Sequence, residues 1–173
     1  MKKAFSVFAA LILIFAAGCE NQTVSETKTP PPIPENFSAN LRIAYNETSM
    51  TAAFRQNSFD DFELNMLSPE ILKPLSLAYK NDICTVTYDG LKFETDLNRF
   101  PQVTFGALLT EAISYIKQGI DIQTAYADGI WTYKGNGERG IFVLTRDAET
   151  GAWLELSIEG AGLHIMFSEF KQE

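Results

Sequence analysis

Phe37-Ser38-Ala39-Asn40-Leu41-Arg42-Ile43-Ala44-Tyr45 is the stretch on which the fold turns, because apolar side chains at every second position alternate with polar or small ones. Successive side chains of a strand face opposite ways, so this rhythm is that of a strand with one face buried and one wet. Asn46-Glu47 follows as a turn, and Met50, Ala52 and Phe54 resume the alternation. A third run passes through Phe62, Leu64 and Met66 and stops at Ser68-Pro69. Pro69 and Pro74 break the next apolar segment into a loop or a single helical turn. Leu75–Tyr79 and Ile83–Tyr88 then read as strands around a Lys80-Asn81-Asp82 turn. Asp89-Gly90, a strong hairpin signal, returns the chain through Leu91 and Phe93.

Beyond Pro101 the period changes. Phe105, Leu108, Leu109, Ala112 and Ile116 recur at three- and four-residue spacing, and Gly119 is a stop signal, so the pattern predicts one amphipathic helix over Val103 to Gln118. Strands return at Ile120–Tyr126, Gly129–Tyr133, Gly140–Arg146, Trp153–Glu159 and Leu163–Phe170. Their separators, Asp128-Gly129, Asn136-Gly137, Asp147 to Gly151 and Gly160-Ala161-Gly162, are turn formers. Short, evenly spaced runs of this kind form an antiparallel meander. Nine or ten such strands curl, and one helix cannot cover so wide a flat sheet. The expected architecture is therefore mainly β with some α: a strongly curved antiparallel half-barrel with its main helix on the concave face.

The N-terminus carries an address. Met1-Lys2-Lys3 precedes an uncharged, apolar run from Ala4 to Ala17, which is the layout of a secretory signal peptide and too short for a spanning helix. Ala16-Ala17-Gly18-Cys19 resembles the lipobox of bacterial lipoproteins, with Ala16 where Leu is commoner. That resemblance implies cleavage before Cys19 and acylation of its thiol, hence an extracytoplasmic protein anchored to the membrane by lipid. Two or three acyl chains suffice for stable attachment where one does not. Residues 1–18 are thus the expected signal peptide and 19–35 a lipidated tether, proline-bearing through Pro30-Pro31-Pro32 and Pro34. Residues 36–173 are the expected single domain.

Composition excludes several function classes. The formal net charge of −8 grows more negative once Lys2 and Lys3 leave with the signal, and an acidic surface repels phosphate backbones, so no nucleic-acid partner is expected. Cys84 alone remains beside a lipidated Cys19, which leaves no intramolecular disulfide; its strand context predicts a small buried hydrophobe. A single histidine, His164, on the polar side of a strand builds neither a zinc site nor a triad. Asp60, Asp61 and Glu63 read as a solvated face, and Ser68 and Ser114 lack a nucleophile-elbow context. Gly135 to Gly140 joins two strands instead of opening a helix and is a hairpin, not a phosphate loop. No catalytic residue, metal or cofactor is expected.

A lipobox, a meander of about six strands with an Asp89-Gly90-Leu91 hairpin, one helix, and a second meander bearing an Asp147-x-x-Thr150-Gly151 turn resemble the LolA/LolB/LppX superfamily of lipoprotein and lipid carriers. The likeness is nearest to lipoproteins of Gram-positive bacteria in that group, and spans about Asn36 to Phe170. Members hold acyl chains between a bent sheet and its helices. Carried over here, that implies ligand contacts from Phe105, Leu108, Leu109, Ala112 and Ile116 on the helix, and from Leu41, Ile43, Phe54, Leu64 and Val86 on the strands. The family often opens with a helix where this chain has prolines, and its shuttles are not lipidated, so a chain fixed at Cys19 suits a local holder or receptor. Two readings remain open: a module with an apolar cleft for a hydrophobic ligand, and a structural or regulatory surface lipoprotein with a packed core that binds an envelope protein. Cleft and core call for the same side chains.

Overall fold

A computed structural model describes residues 29–81, 83–96, 105–119 and 121–172. The expected signal peptide, Cys19 and the first part of the tether lie outside these residues. Among the described residues eleven strands form one sheet, one for each of the eleven runs read from the sequence, where a sheet of nine or ten was expected: β1 (Phe37–Tyr45), β2 (Thr48–Ser58), β3 (Asp61–Ser68), β4 (Leu75–Lys80), β5 (Ile83–Tyr88), β6 (Leu91–Asp96), β7 (Gln123–Ala127), β8 (Ile130–Gly137), β9 (Gly140–Asp147), β10 (Trp153–Ile158) and β11 (Leu163–Gln172). The one α-helix among the described residues, α1 (Phe105–Gln118), stands between β6 and β7, and a 3₁₀ turn at Glu70–Leu72 fills the proline-flanked segment.

The strand order β6-β5-β4-β3-β2-β1-β11-β10-β9-β8-β7 makes every neighbour antiparallel and leaves β6 and β7 as the two edges. The chain thus reaches one edge, passes through α1, and returns along the other. Each strand twists against the next by roughly 20–25°, so a sheet of this width curls, and the sheet here is bent but not closed. Its inner face and the buried stripe of α1 make a single core that includes Leu41, Ile43, Phe54, Leu64, Leu109 and Ile113.

Differences from the sequence reading are local. The meander runs on through Gly135-Asn136-Gly137, which pair with Phe142, Ile141 and Gly140, so the hairpin turn is Glu138-Arg139. β7 starts at Gln123, two residues after Asp121, whose positive φ of 55° is uncommon in extended backbone. The helix start expected at Val103 lies outside the described residues.

Aromatic rings set the inner face at one end of the sheet. Phe170 stacks on Phe37 with centroids 4.7 Å apart, and Phe37 in turn meets Trp153 at 5.0 Å and Phe54 at 5.3 Å. Phe54 meets Phe62 at 5.6 Å and Phe62 stacks on Tyr79 at 4.6 Å, so the row crosses from β11 to β4. Such pairs contribute about 0.5–1.5 kcal/mol each beyond their burial. The row is continuous because cross-strand partners share a face: Phe37 pairs with Gln56, Gln56 with Phe62, and Phe62 with Tyr79.

Two polar side chains of α1 fasten it across the hollow. Glu111 accepts the backbone N–H of Glu138 at 2.6 Å and lies 3.7 Å from the Arg139 guanidinium, which ties the helix to the β8–β9 turn. Near the C-terminus of the helix Lys117 pairs with Asp60 in the β2–β3 turn.

Candidate functional site

Cover by α1 decides where the inner face is open. Gly106 brings the helix against Tyr79 on β4, and beyond that strand the inner wall is progressively bare. Leu77, Val86 and Phe93 form one cross-strand row, and Leu75, Tyr88 and Leu91 the next. Val86 is 7 % exposed, whereas Phe93 on the neighbouring edge strand is 54 % exposed and Leu91 is 76 % exposed. All are on the same inner face, since Val86 belongs to the core and its partner must point the same way. Tyr88 completes the wall, donating its hydroxyl to the Ile71 carbonyl at 3.1 Å and so holding the 3₁₀ turn over its end. Tyr88, Leu91 and Phe93 thus leave exposed apolar surface on the inner face, and Ile71, also exposed, stands beside its end through the Tyr88 hydrogen bond.

A cleft of about 320 Å³ opens between α1 and the sheet, at the low end of the usual range for ligand sites. Phe62 and Tyr79 form its floor; Thr110 and Ser114 of the helix face Lys80, Asn81 and Asp60 across its mouth. Burial holds the Tyr79 hydroxyl far above its ordinary range, and burial likewise raises the Cys84 thiol, with which Tyr79 shares a hydrogen bond. Both groups are therefore protonated at neutral pH, and Cys84 is the small buried hydrophobe expected of it. A second cleft, of about 340 Å³, lies where Leu108 meets the β1–β2, β8–β9 and β10–β11 turns.

The structure gathers the ten implied ligand residues on facing surfaces. Leu41, Ile43, Phe54, Leu64, Val86, Leu108, Leu109, Ala112 and Ile116 are packed together in the core, and Phe105 is half-buried against it. Tyr88, Leu91, Phe93 and Ile71 were not among them, although alternation across the Asp89-Gly90 hairpin places Leu91 and Phe93 on the inner face. Ile113 was also missed, a fully buried member of the helix stripe.

The groups considered for chemistry are dispersed. Asp61 meets Lys80 at 3.0 Å and accepts a hydrogen bond from Asn57, contacts that hold its carboxyl below the usual range, while Glu63 is exposed on the outer face. His164 pairs with Glu155 on the outer face. Ser114 accepts a hydrogen bond from Gln118. Among the described residues there is no group of three metal-ligating side chains, and no helix long and apolar enough to cross a membrane.

Among the solved structures similar to this chain, two cover most of it. An uncharacterized conserved protein from Thermus thermophilus matches at 12% identity with a TM-score of 0.54, over 82% of this chain and 80% of that one. A LolA superfamily protein from Nitrosomonas europaea matches at 12% identity with a TM-score of 0.43, over 83% of this chain and 88% of that one. The first likeness shows a shared fold; the second is too slight to carry a conclusion. No family model matches the chain, and no curated protein matches it.

Proposed function

We propose that the protein is a lipoprotein anchored through Cys19 on the extracytoplasmic face of a bacterial membrane, of the Gram-positive LolA-like type. In this reading it holds a hydrophobic ligand, an acyl chain or a lipidated peptide, against the bare inner wall of β5 and β6. The observation that carries this is the exposure of Leu91 and Phe93 on the concave face, where a monomeric domain ordinarily buries its apolar surface. The lipobox at Cys19 and the resemblance of element order to lipid carriers support it. Val86, Tyr88, Leu91 and Phe93 line the ligand, Ile71 closes one end, and the remaining implied residues form the packed floor behind. No catalytic step is proposed.

The tight packing of that floor favours one other reading, in which the wall takes an envelope protein instead of a lipid. Chain starting at residue 20 is purified without lipidation, extracted with organic solvent and analysed by mass spectrometry, and titrated with a fluorescent fatty acid. Expected are co-purified acyl species and probe binding weakened at least tenfold by Leu91→Glu or Phe93→Glu. No extractable acyl species together with no probe binding rejects the carrier reading. The anchor is tested separately: Cys19→Ala should leave the precursor uncleaved and unlabelled by fatty acid.

A further inference from the structure

Arg146 is 1 % exposed at the end of β9, yet every acceptor it uses is neutral. Its Nε and Nη2 donate to the Gly151 carbonyl at 3.0 and 2.9 Å. Nη1 donates to the Pro31 carbonyl at 2.9 Å and to the Tyr133 hydroxyl at 3.1 Å, and Nη2 to the Pro32 carbonyl at 2.9 Å. All five guanidinium N–H bonds are thereby spent. A buried charge without full hydrogen bonding is strongly unfavourable, so the two proline carbonyls are part of what allows Arg146 to sit there.

The acceptors are suited to this. Proline has no N–H and a fixed φ, and a residue preceding proline is pushed to extended conformations, so Pro30-Pro31-Pro32-Ile33-Pro34 is held extended with no hydrogen bonds of its own. Its carbonyls are free for another group to read. Gln56 reads the next ones, donating Nε2 to the Glu35 carbonyl at 2.9 Å and to Pro34 at 3.5 Å. Pro34 is buried and Ile33 packs on the core.

We infer that Arg146, Tyr133 and Gln56 form a binding site for the chain's own proline segment, a docked strap that fixes how the domain stands on its anchor. The described end of the expected tether belongs to the domain surface. The consequence for presentation rests on the anchoring reading above: only residues 20–30 then separate the lipid from the strap, a reach of at most about 40 Å. Gln56 pairs with Phe62 near the start of β3, and Ile71 follows the far end of that strand. The strap thus holds one end of the sheet near the membrane, and the apolar wall opens toward the other, where Ile71 lies. A ligand is exchanged with something beyond the anchoring bilayer, and not with the lipid beneath.

The test uses chain from residue 20 with Cys84→Ser and a spin label on Pro32→Cys, an exposed strap position that keeps its backbone carbonyl, a readout independent of any ligand or lipid. The label is expected to be immobilised in this chain and to become mobile when Arg146→Met is added. A mobile label before any change at Arg146 overturns the docked strap. For presentation, the chain carries hexahistidine before residue 20 and is bound to phosphatidylcholine vesicles containing a nickel-chelating lipid and an acceptor dye. A donor on Glu149→Cys, in the β9–β10 turn, is expected to transfer more efficiently than one on Lys73→Cys beside the 3₁₀ turn. Equal or reversed transfer overturns the orientation. Because the anchor is artificial, failure of native lipidation would show only in the Cys19→Ala experiment.

Discussion

No β-carbon fits at Gly106, because it would lie 1.8 Å from the hydroxyl oxygen of Tyr79 and 2.7 Å from the ring carbon that bears it. The ring cannot retreat, since Tyr79 is buried and stacked on Phe62. Gly106→Ala should gain about 0.5–1 kcal/mol of helix propensity and lose about 1–3 kcal/mol to overpacking. The expected net result is destabilisation, read as a lower urea midpoint. Tyr79→Phe added to Gly106→Ala should recover only part of it, because the second contact persists. Full additivity of the two changes would show that the residues do not touch.

Asp147 organises the β9–β10 turn. Its Oδ1 accepts the Thr150 hydroxyl at 2.7 Å, the Thr150 N–H at 2.7 Å and the Glu149 N–H at 3.1 Å, and these bonds, the Thr150 hydroxyl first, hold its carboxyl below the ordinary range. A depressed folded-state pKa means stability that is fully present above the unfolded value near 3.9 and lost as pH falls through the folded value. The urea midpoint should therefore fall as pH drops below about 4. Asp147→Asn should lower the midpoint at pH 6 and give a shallower acid limb. Asp61, depressed by Lys80 and then Asn57, contributes to the residual slope. An unchanged acid limb in Asp147→Asn would sink this assignment.

Period-two alternation made the meander readable, because a strand's face follows from local sequence alone. Cover does not. Val86 and Phe93 are register partners with the same inward phase and are indistinguishable in sequence, yet one is buried in the core and the other lies on the bare edge. Which inner positions are open depends on how far a single helix reaches across the sheet, a tertiary fact. Arg146 left a signal, a charge at the inward phase of Phe142 and Leu144, but its Pro31 acceptor is 115 residues away. The proline segment read as tether because it lacks apolar periodicity. Its docking runs through backbone carbonyls, which every sequence possesses and no composition reveals.

Buried and bare positions should respond oppositely. Leu109 is fully buried in the core, so Leu109→Ala should cost about 2–5 kcal/mol through lost contacts and the cavity left behind. Leu91 is mostly exposed, and Leu91→Ala should change stability by no more than about 0.5 kcal/mol. Fatty-acid probe affinity should fall with Leu91→Ala and hold with Leu109→Ala under conditions where both variants remain folded. The reverse pattern would place the ligand in the interior and not on the β5–β6 wall.

Glu111 tests whether α1 is pinned to the sheet it covers. Its side chain is 17 % exposed, and its two oxygens serve different partners: Oε1 takes the Glu138 N–H and Oε2 faces the Arg139 guanidinium. The first is a short charge-assisted bond to a turn amide, while the second, at 3.7 Å, is a loose ion pair. Glu111→Ala removes both and should cost about 1–2 kcal/mol. Glu111→Gln keeps an acceptor for the Glu138 amide and gives up only the ion pair, so it should cost well under half as much. It should also lose the salt sensitivity of the urea midpoint, since the exposed part of the interaction is screened. If Gln and Ala substitutions are equally harmful, the ion pair and not the amide bond holds the helix to the β8–β9 turn, and the hinge of any opening of the hollow would have to be sought at Arg139.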